Sequence, residues 1–234
     1  MKVRLVVAAL AGSVLLSSTS FAQAAAAPAT SKKTAGARRV VARAGSTTAM
    51  SGVSTVAQDK ASVLRPPAGS KVAIVIFHDL QCPDCARAHP LLEEAKKNYN
   101  IPLVEHDFPL PMHSWSFNAA VIGRYFDTKS QKLGDAWRDY CYRNQTALTP
   151  ENLMQEAQKF AQANGTALPF LLDPDKSLEK KVKADFALGQ KIGIQHTPTI
   201  FVVNNNRTAA EPFVEVVDRS QLSQIIEDMK AKAK

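Results

Sequence analysis

Residues 72–85 read VAIVIFHDLQCPDC, and the rest of the chain is best understood outward from them. Val72–Phe77 is a continuous apolar run rich in β-branched residues, the pattern of a strand buried on both faces. Cys82-Pro83-Asp84-Cys85 follows at once and opens a helix. Cysteines three apart in a first helical turn share a face and can bridge with little backbone movement. Pro83 has no N–H to leave unsatisfied, and its φ already suits the first turn. The free amides and positive end of the helix stabilise a thiolate on Cys82. A stabilised thiolate is a good leaving group, so a Cys82–Cys85 disulfide is expected to be reactive.

Two other uses of the pair compete with this one. A zinc site needs a second ligand pair, and the sequence holds no other C-x-x-C and no paired His spacing. His78, at the end of the strand, cannot complete a tetrahedron alone. A structural disulfide closing so short a loop adds little stability. A redox-active dithiol is the favoured reading.

Further along, Pro83 to about Asn98 reads as helical, interrupted by Pro90, and Leu103–Phe108 as a second strand. From His113 to about Ile192 the pattern is helical. Phe117, Val121 and Tyr125 recur at four-residue spacing, as do Leu178, Val182 and Phe186. Thr149-Pro150-Glu151 has the form of a helix start, with Thr as cap. Thr199–Val203 and Phe213–Val217 are expected strands around a turn at 204–207. The chain closes with an amphipathic helix that turns Leu222, Ile225, Ile226 and Met229 to one side. This order predicts an α/β fold: a central mixed sheet flanked by helices, with an all-helical block inserted at about 112–192.

The N-terminus carries an address. Met1–Arg4 is basic, Leu5–Leu16 is apolar, and Ser17–Ala24 ends in small residues, which together form a secretory signal peptide over 1–24 with cleavage after Ala22 or Ala24. The apolar run is too short to span a membrane. Residues 25–60, rich in Ala, Ser, Thr and basic groups and free of aromatics, are expected to be a flexible linker, leaving 61–234 to fold. The net charge of +8 divides unevenly: residues 1–60 hold eight basic groups and one acid, against 21 and 20 in the remainder. A near-neutral folded part argues against nucleic acid as a partner. Export places the cysteines where disulfides persist.

Phe77-x-Asp79-x-Gln81-Cys82-Pro83-x-Cys85 resembles the active-site signature of DsbA-like thioredoxin-fold proteins of bacterial envelopes. Pro90 falls where thioredoxins carry the proline of their active-site helix. His196-Thr197-Pro198-Thr199 is similar to the family's cis-proline loop, and Phe108-Pro109-Leu110 with His113 to its entry into the helical subdomain. The resemblance implies a thioredoxin fold over about 61–234 and a periplasmic thiol–disulfide oxidoreductase, with Cys82 meeting substrate and Cys85 as its buried partner. It implies a cis Pro198 against the pair and Thr197 main-chain groups that pair an extended substrate strand. It further implies disulfide donation to thiols of exported proteins by a monomer. A membrane quinone-linked thiol oxidase of DsbB or vitamin K epoxide reductase type would reoxidise it, with no cofactor beyond the cysteines. A reductase or isomerase of the same compartment, or a peptide-binding module with a structural dithiol, are the alternatives.

The sequence departs from the family at two positions. Relatives place a buried acid where this chain has Ile76, leaving His78 and Asp79 as the nearest ionisable candidates. Asp84, between the cysteines, is expected to repel a Cys82 thiolate and raise its pKa. Cys141, between Tyr140 and Tyr142, is expected to be a buried small hydrophobe. His89, His113 and His196 are assigned to packing or hydrogen bonding. Trp115 and Phe117 are assigned to packing of the insertion, with a substrate groove as the alternative.

Overall fold

A computed structural model describes Lys60 and residues 62–234, apart from Arg207. The signal peptide and nearly all of the expected linker lie outside the described residues. Lys60, counted with the linker, already begins a helical turn closed by the Leu64 N–H on the Lys60 carbonyl at 2.8 Å. The elements run β1 (Val72–His78), α1 (Pro83–Tyr99), β2 (Leu103–Asp107), α2 (Ser116–Asp127), α3 (Gln131–Arg143), α4 (Leu153–Ala163), α5 (Ser177–Lys191), β3 (Thr199–Asn204), β4 (Phe213–Glu215) and α6 (Leu222–Lys232). The sheet order is β2-β1-β3-β4, with β1 parallel to β2 and antiparallel to β3, and β3 antiparallel to β4. This is the expected mixed sheet. No helix among the described residues is long and apolar enough to cross a membrane.

Every residue of β1 is buried, because helices cover both of its faces. Val72, Ile74 and Ile76 pack with Ala88 and Leu92 of α1 and with Leu222, Ile226 and Met229 of α6. Ala73, Val75 and Phe77 point the other way, to Phe108, Phe186, Leu188 and Ile192. The two stripes of four-residue spacing meet each other: Phe117, Val121 and Tyr125 of α2 pack with Leu178 and Val182 of α5. Helices α2 to α4 enclose an aromatic core of their own. There Phe126, Trp137 and Phe160 lie with ring centroids 5.1–5.6 Å apart, and the Trp137 indole N–H donates to the Ala119 carbonyl at 2.9 Å. Leu80, Cys82 and Cys85 belong to this same cluster, so the end of β1 and the start of α1 rest on the inserted helices.

Some boundaries differ from those read in the sequence. Pro90 does not interrupt α1, which runs unbroken from Pro83 to Tyr99. The bond missing at Pro90 is a single one in 17 residues, and the packed face at Cys85, Ala88, Leu92 and Ala95 outweighs it. Helix α4 starts at Leu153, not Pro150. Thr149 and Asn152 instead exchange bonds, Thr149 N–H to Asn152 Oδ1 (2.8 Å) and Asn152 N–H to Thr149 Oγ1 (3.3 Å), which closes a turn ahead of the helix. Strand β4 stops at Glu215, since Val216 turns into the α6 core and Val217 lies in solvent.

Helix α5 approaches the sheet closely at Gly189. A Cβ there would lie 2.6 Å from two ring carbons of Phe108 and 3.2 Å from Phe77. Phe108 is itself fixed, stacked on Phe186 at 4.6 Å between centroids and edge-on to Phe77 at 6.4 Å. Gly189→Ala is therefore expected to cost about 1–3 kcal/mol, despite alanine's better helix propensity. The expected readout is a lower urea midpoint at unchanged m-value; an unaltered midpoint would show that the ring gives way.

Candidate active site

Strand β1 and helix α1 place the two sulfurs. Cys82 is the N-cap residue of α1, with extended backbone (φ −73°, ψ 121°), and Pro83 and Asp84 occupy the first turn. The Cys82 N–H donates to the Asp79 carbonyl at 3.1 Å, and the Ala86 N–H to the Cys82 carbonyl at 3.2 Å, fixing the cap at both ends. The Cys82 thiol reaches the Thr197 carbonyl at 3.3 Å, and the Thr197–Pro198 peptide is cis. The loop before β3 thus lies against the pair, as expected. Thr197 is buried, and the Thr199 hydroxyl steadies the loop by donating to the His196 carbonyl at 2.7 Å.

The sulfurs are electrostatically unequal. A hydrogen bond from the Cys85 thiol is the largest effect on Cys82 and favours its thiolate. Burial opposes this, and Thr197 together with the amides of Cys85 and Asp84 reinforces it. The Cys82 pKa falls to about 5. Burial, and then the neighbouring Cys82 sulfur, push Cys85 far above the ordinary thiol range, though the Asp79 N–H at 3.4 Å from its sulfur works the other way. One sulfur holds charge readily and the other resists it.

The Asp84 carboxylate does not keep the Cys82 pKa from falling, and it is itself paired with two arginines. Arg219 Nη2 lies 2.6 and 2.7 Å from its two oxygens, and Arg87 Nη2 lies 3.0 Å from Oδ1. The Arg219 guanidinium, aided by Arg87, holds the Asp84 carboxyl below its ordinary range.

Asp79 joins the motif to the inserted helices. It is buried, and its oxygens accept from the Gln81 N–H (2.7 Å), Ser116 Oγ (2.5 Å), the Leu110 N–H (2.6 Å) and His113 Nδ1 (2.7 Å). Gln81 Oε1 accepts from the Trp115 N–H at 2.9 Å, and the Gln145 amide donates to the Leu80 and Cys82 carbonyls at 2.8 and 2.9 Å. His78 is also buried. Its Nδ1 pairs with the Tyr142 hydroxyl at 2.6 Å and its Nε2 faces Asp107 Oδ1 at 3.5 Å. Burial, with Arg138 and Arg124 nearby, lowers the His78 pKa well below its ordinary value, so the ring is neutral at pH 7. An acid does lie beside Ile76, one strand away: Glu105 pairs with Ile76 in the β1–β2 register. Burial pushes Glu105 up to about 7 against the pull of Arg138.

The family model described as Thioredoxin matches residues 67–228, well over half of the chain. The chain belongs to the thioredoxin family. Among solved structures, Wolbachia pipientis α-DsbA1 is 16% identical, with 74% of this chain and 96% of that one covered and a TM-score of 0.57. Proteus mirabilis ScsC is 24% identical over 71% of each chain at a TM-score of 0.55. A periplasmic thioredoxin-like protein of Salmonella enterica serovar Typhimurium is 22% identical over 70% and 87% at 0.55. No curated protein matches. These likenesses establish a DsbA-like thioredoxin fold.

Within that thioredoxin frame, Cys82, Cys85, Pro83, Thr197 and Pro198 come together. Asp84 joins them through an arginine that the sequence did not flag. His78 sits beneath the motif, bonded to Tyr142 instead of to a cysteine. Trp115 is buried in the aromatic cluster and Phe117 packs between α2 and α5, as the packing assignment expects. His89 lies beside Tyr142, and His113 holds Asp79. Cys141 is wholly buried among aromatic rings, and burial raises its pKa. Gln145, Ser116 and Arg219 carried no local signal, because each reaches the motif from a distant element.

Because the folded Cys82 pKa lies below the ordinary thiol value of about 8.5, its stabilisation of the reduced protein is complete above that value. It is lost as pH falls through about 5. Iodoacetamide labelling of the reduced chain is accordingly expected to reach half its plateau rate near pH 5. A half-point near about pH 8.5 would show that neither the Cys85 thiol nor the helix end holds the charge.

Proposed function

We propose that this chain is an exported thiol–disulfide oxidoreductase that donates the Cys82–Cys85 disulfide to cysteine thiols of other exported proteins. The carrying observation is the inequality of the two sulfurs, since a stabilised Cys82 thiolate favours the reduced enzyme and so makes its disulfide oxidising. A substrate thiolate attacks Cys82 Sγ, and the Cys82–Cys85 bond breaks. Its electron pair goes to Cys85, which resists charge and takes up a proton. A second substrate thiolate then attacks the substrate sulfur of the mixed disulfide. Cys82 leaves as a thiolate, the substrate gains its disulfide, and two electrons remain on the enzyme.

At neutral pH the Cys82 thiolate has no S–H, and neither has the disulfide, so the Thr197 carbonyl is open to a substrate. Thr197 main-chain groups then pair an extended substrate segment beside Pro198. The cysteine pair holds both electrons, and the reaction asks for no metal or organic cofactor. Reoxidation falls to a membrane quinone-linked thiol oxidase of DsbB or vitamin K epoxide reductase type. The signal peptide at 1–24 supports a periplasmic location, as does the likeness to the periplasmic Salmonella protein.

Cys85→Ser is expected to accumulate mixed disulfides with exported proteins, and Cys82→Ser to abolish both these adducts and thiol oxidation of a reduced substrate. A donor is expected to show a reduction potential above about −200 mV in glutathione buffers. A value near about −270 mV would reverse the direction to reductase. Partner binding that survives Cys82→Ser, with no oxidation by the wild type, would leave only a peptide-binding module.

A further inference from the structure

The exchange steps above make no use of the Asp84 side chain, although it is carried between the two sulfurs. Left alone, a carboxylate in the first turn favours the helix dipole but opposes a second negative charge beside it. In the structure it is engaged from two sides. Arg87, one turn along α1, places Nε at 3.3 Å and Nη2 at 3.0 Å from Oδ1 only, with its side chain 68% exposed. Arg219 comes from 135 residues away in the chain, touches both oxygens at 2.6 and 2.7 Å, and is 33% exposed.

The support under Arg219 is built as well. It opens a 3-10 turn, Arg219–Gln221, whose start is capped by Asp218: Oδ1 accepts from the Ser220 N–H at 2.9 Å and from Ser220 Oγ at 2.8 Å. The charged groups around Asp84 are thus Arg87 on its own helix and Arg219 on the turn before α6, with the Asp218 carboxylate turned to its own cap. An exposed ion pair is ordinarily worth little. This one differs in being held from a capped turn and in sitting next to a sulfur whose charge state sets the chemistry.

We propose that Arg219 is a positioning residue for thiol–disulfide exchange, gripping both Asp84 oxygens so that the carboxylate between the cysteines no longer opposes a thiolate on Cys82. The inference rests on the exchange function proposed above and names a regulator of the same site. It explains how this chain tolerates an acid inside its motif while Cys82 still titrates at about 5. Asp84 is held below the ordinary carboxylate range, so its charge is present throughout that titration.

The test is the ultraviolet thiolate titration of the reduced full chain, with the glutathione equilibrium measured alongside. Arg219→Gln is expected to lower the Cys82 dissociation constant about three- to fivefold, and to make the disulfide less oxidising by the same factor. Arg219→Lys is expected to keep most of the wild-type value, and Arg87→Gln to move it less than Arg219→Gln does. Adding Asp84→Asn to Arg219→Gln is expected to return the titration to within about twofold of wild type. The proposal is overturned by an unmoved titration in Arg219→Gln. It is equally overturned by a double variant that keeps the full shift, since a displaced turn would then be the cause. A wild-type disulfide inert to glutathione would instead defeat the exchange function, and the titration would still decide the role of Arg219.

Discussion

A negative charge on the Cys82 sulfur at neutral pH is the constraint around which the molecule is arranged. The sulfur stands where a capping oxygen would normally stand, at the N-cap of α1, near the amides of Cys85 and Asp84 that favour its charge, although it closes no cap hydrogen bond. That position exists only because β1 ends where it does and Pro83 begins the helix without an N–H of its own. The same placement buries Cys85 one turn further on, where desolvation keeps it a thiol. A single local geometry therefore separates the two sulfurs in charge, although both are buried, at 7% and 1% exposure.

The sheet alone would not hold this corner still. Asp79 and Gln81 are tied to the stretch leading into α2, and Gln145, just beyond α3, grips the Leu80 and Cys82 carbonyls. Four donors on a buried carboxylate meet the desolvation cost that an isolated charge would carry. The inserted helices also bring their aromatic core against Leu80, Cys82 and Cys85, so they act as a wall for the site as well as an addition to the sheet.

Much of this was readable in advance. The apolar run at 72–77, the cysteine spacing and His196-Thr197-Pro198-Thr199 each encode a local conformation, so strand, helix cap and loop followed from a few consecutive residues. The four-residue stripes at 117–125 and 178–186 marked helices correctly, and they turn out to face one another. Reading failed where distant residues decide. Nothing near Asp84 in sequence announces Arg219, which reaches it from 135 residues away. Thr149-Pro150 looked like a helix start because propensity does not register the bonds that Asn152 makes back to Thr149. Strand pairing also sets Glu105 beside Ile76, a neighbour that the sequence does not announce.

Cys141 also matters to the exchange proposed for the pair, because it is a third thiol in the same buried cluster. A third thiol within reach would offer an internal trap, diverting the bridge into a mispaired ring from which a partner would have to rescue it. Burial holds Cys141 protonated, and a neutral thiol is a poor attacker on a disulfide. A bridge between Cys82 and Cys85 is thereby shielded from rearrangement within its own chain.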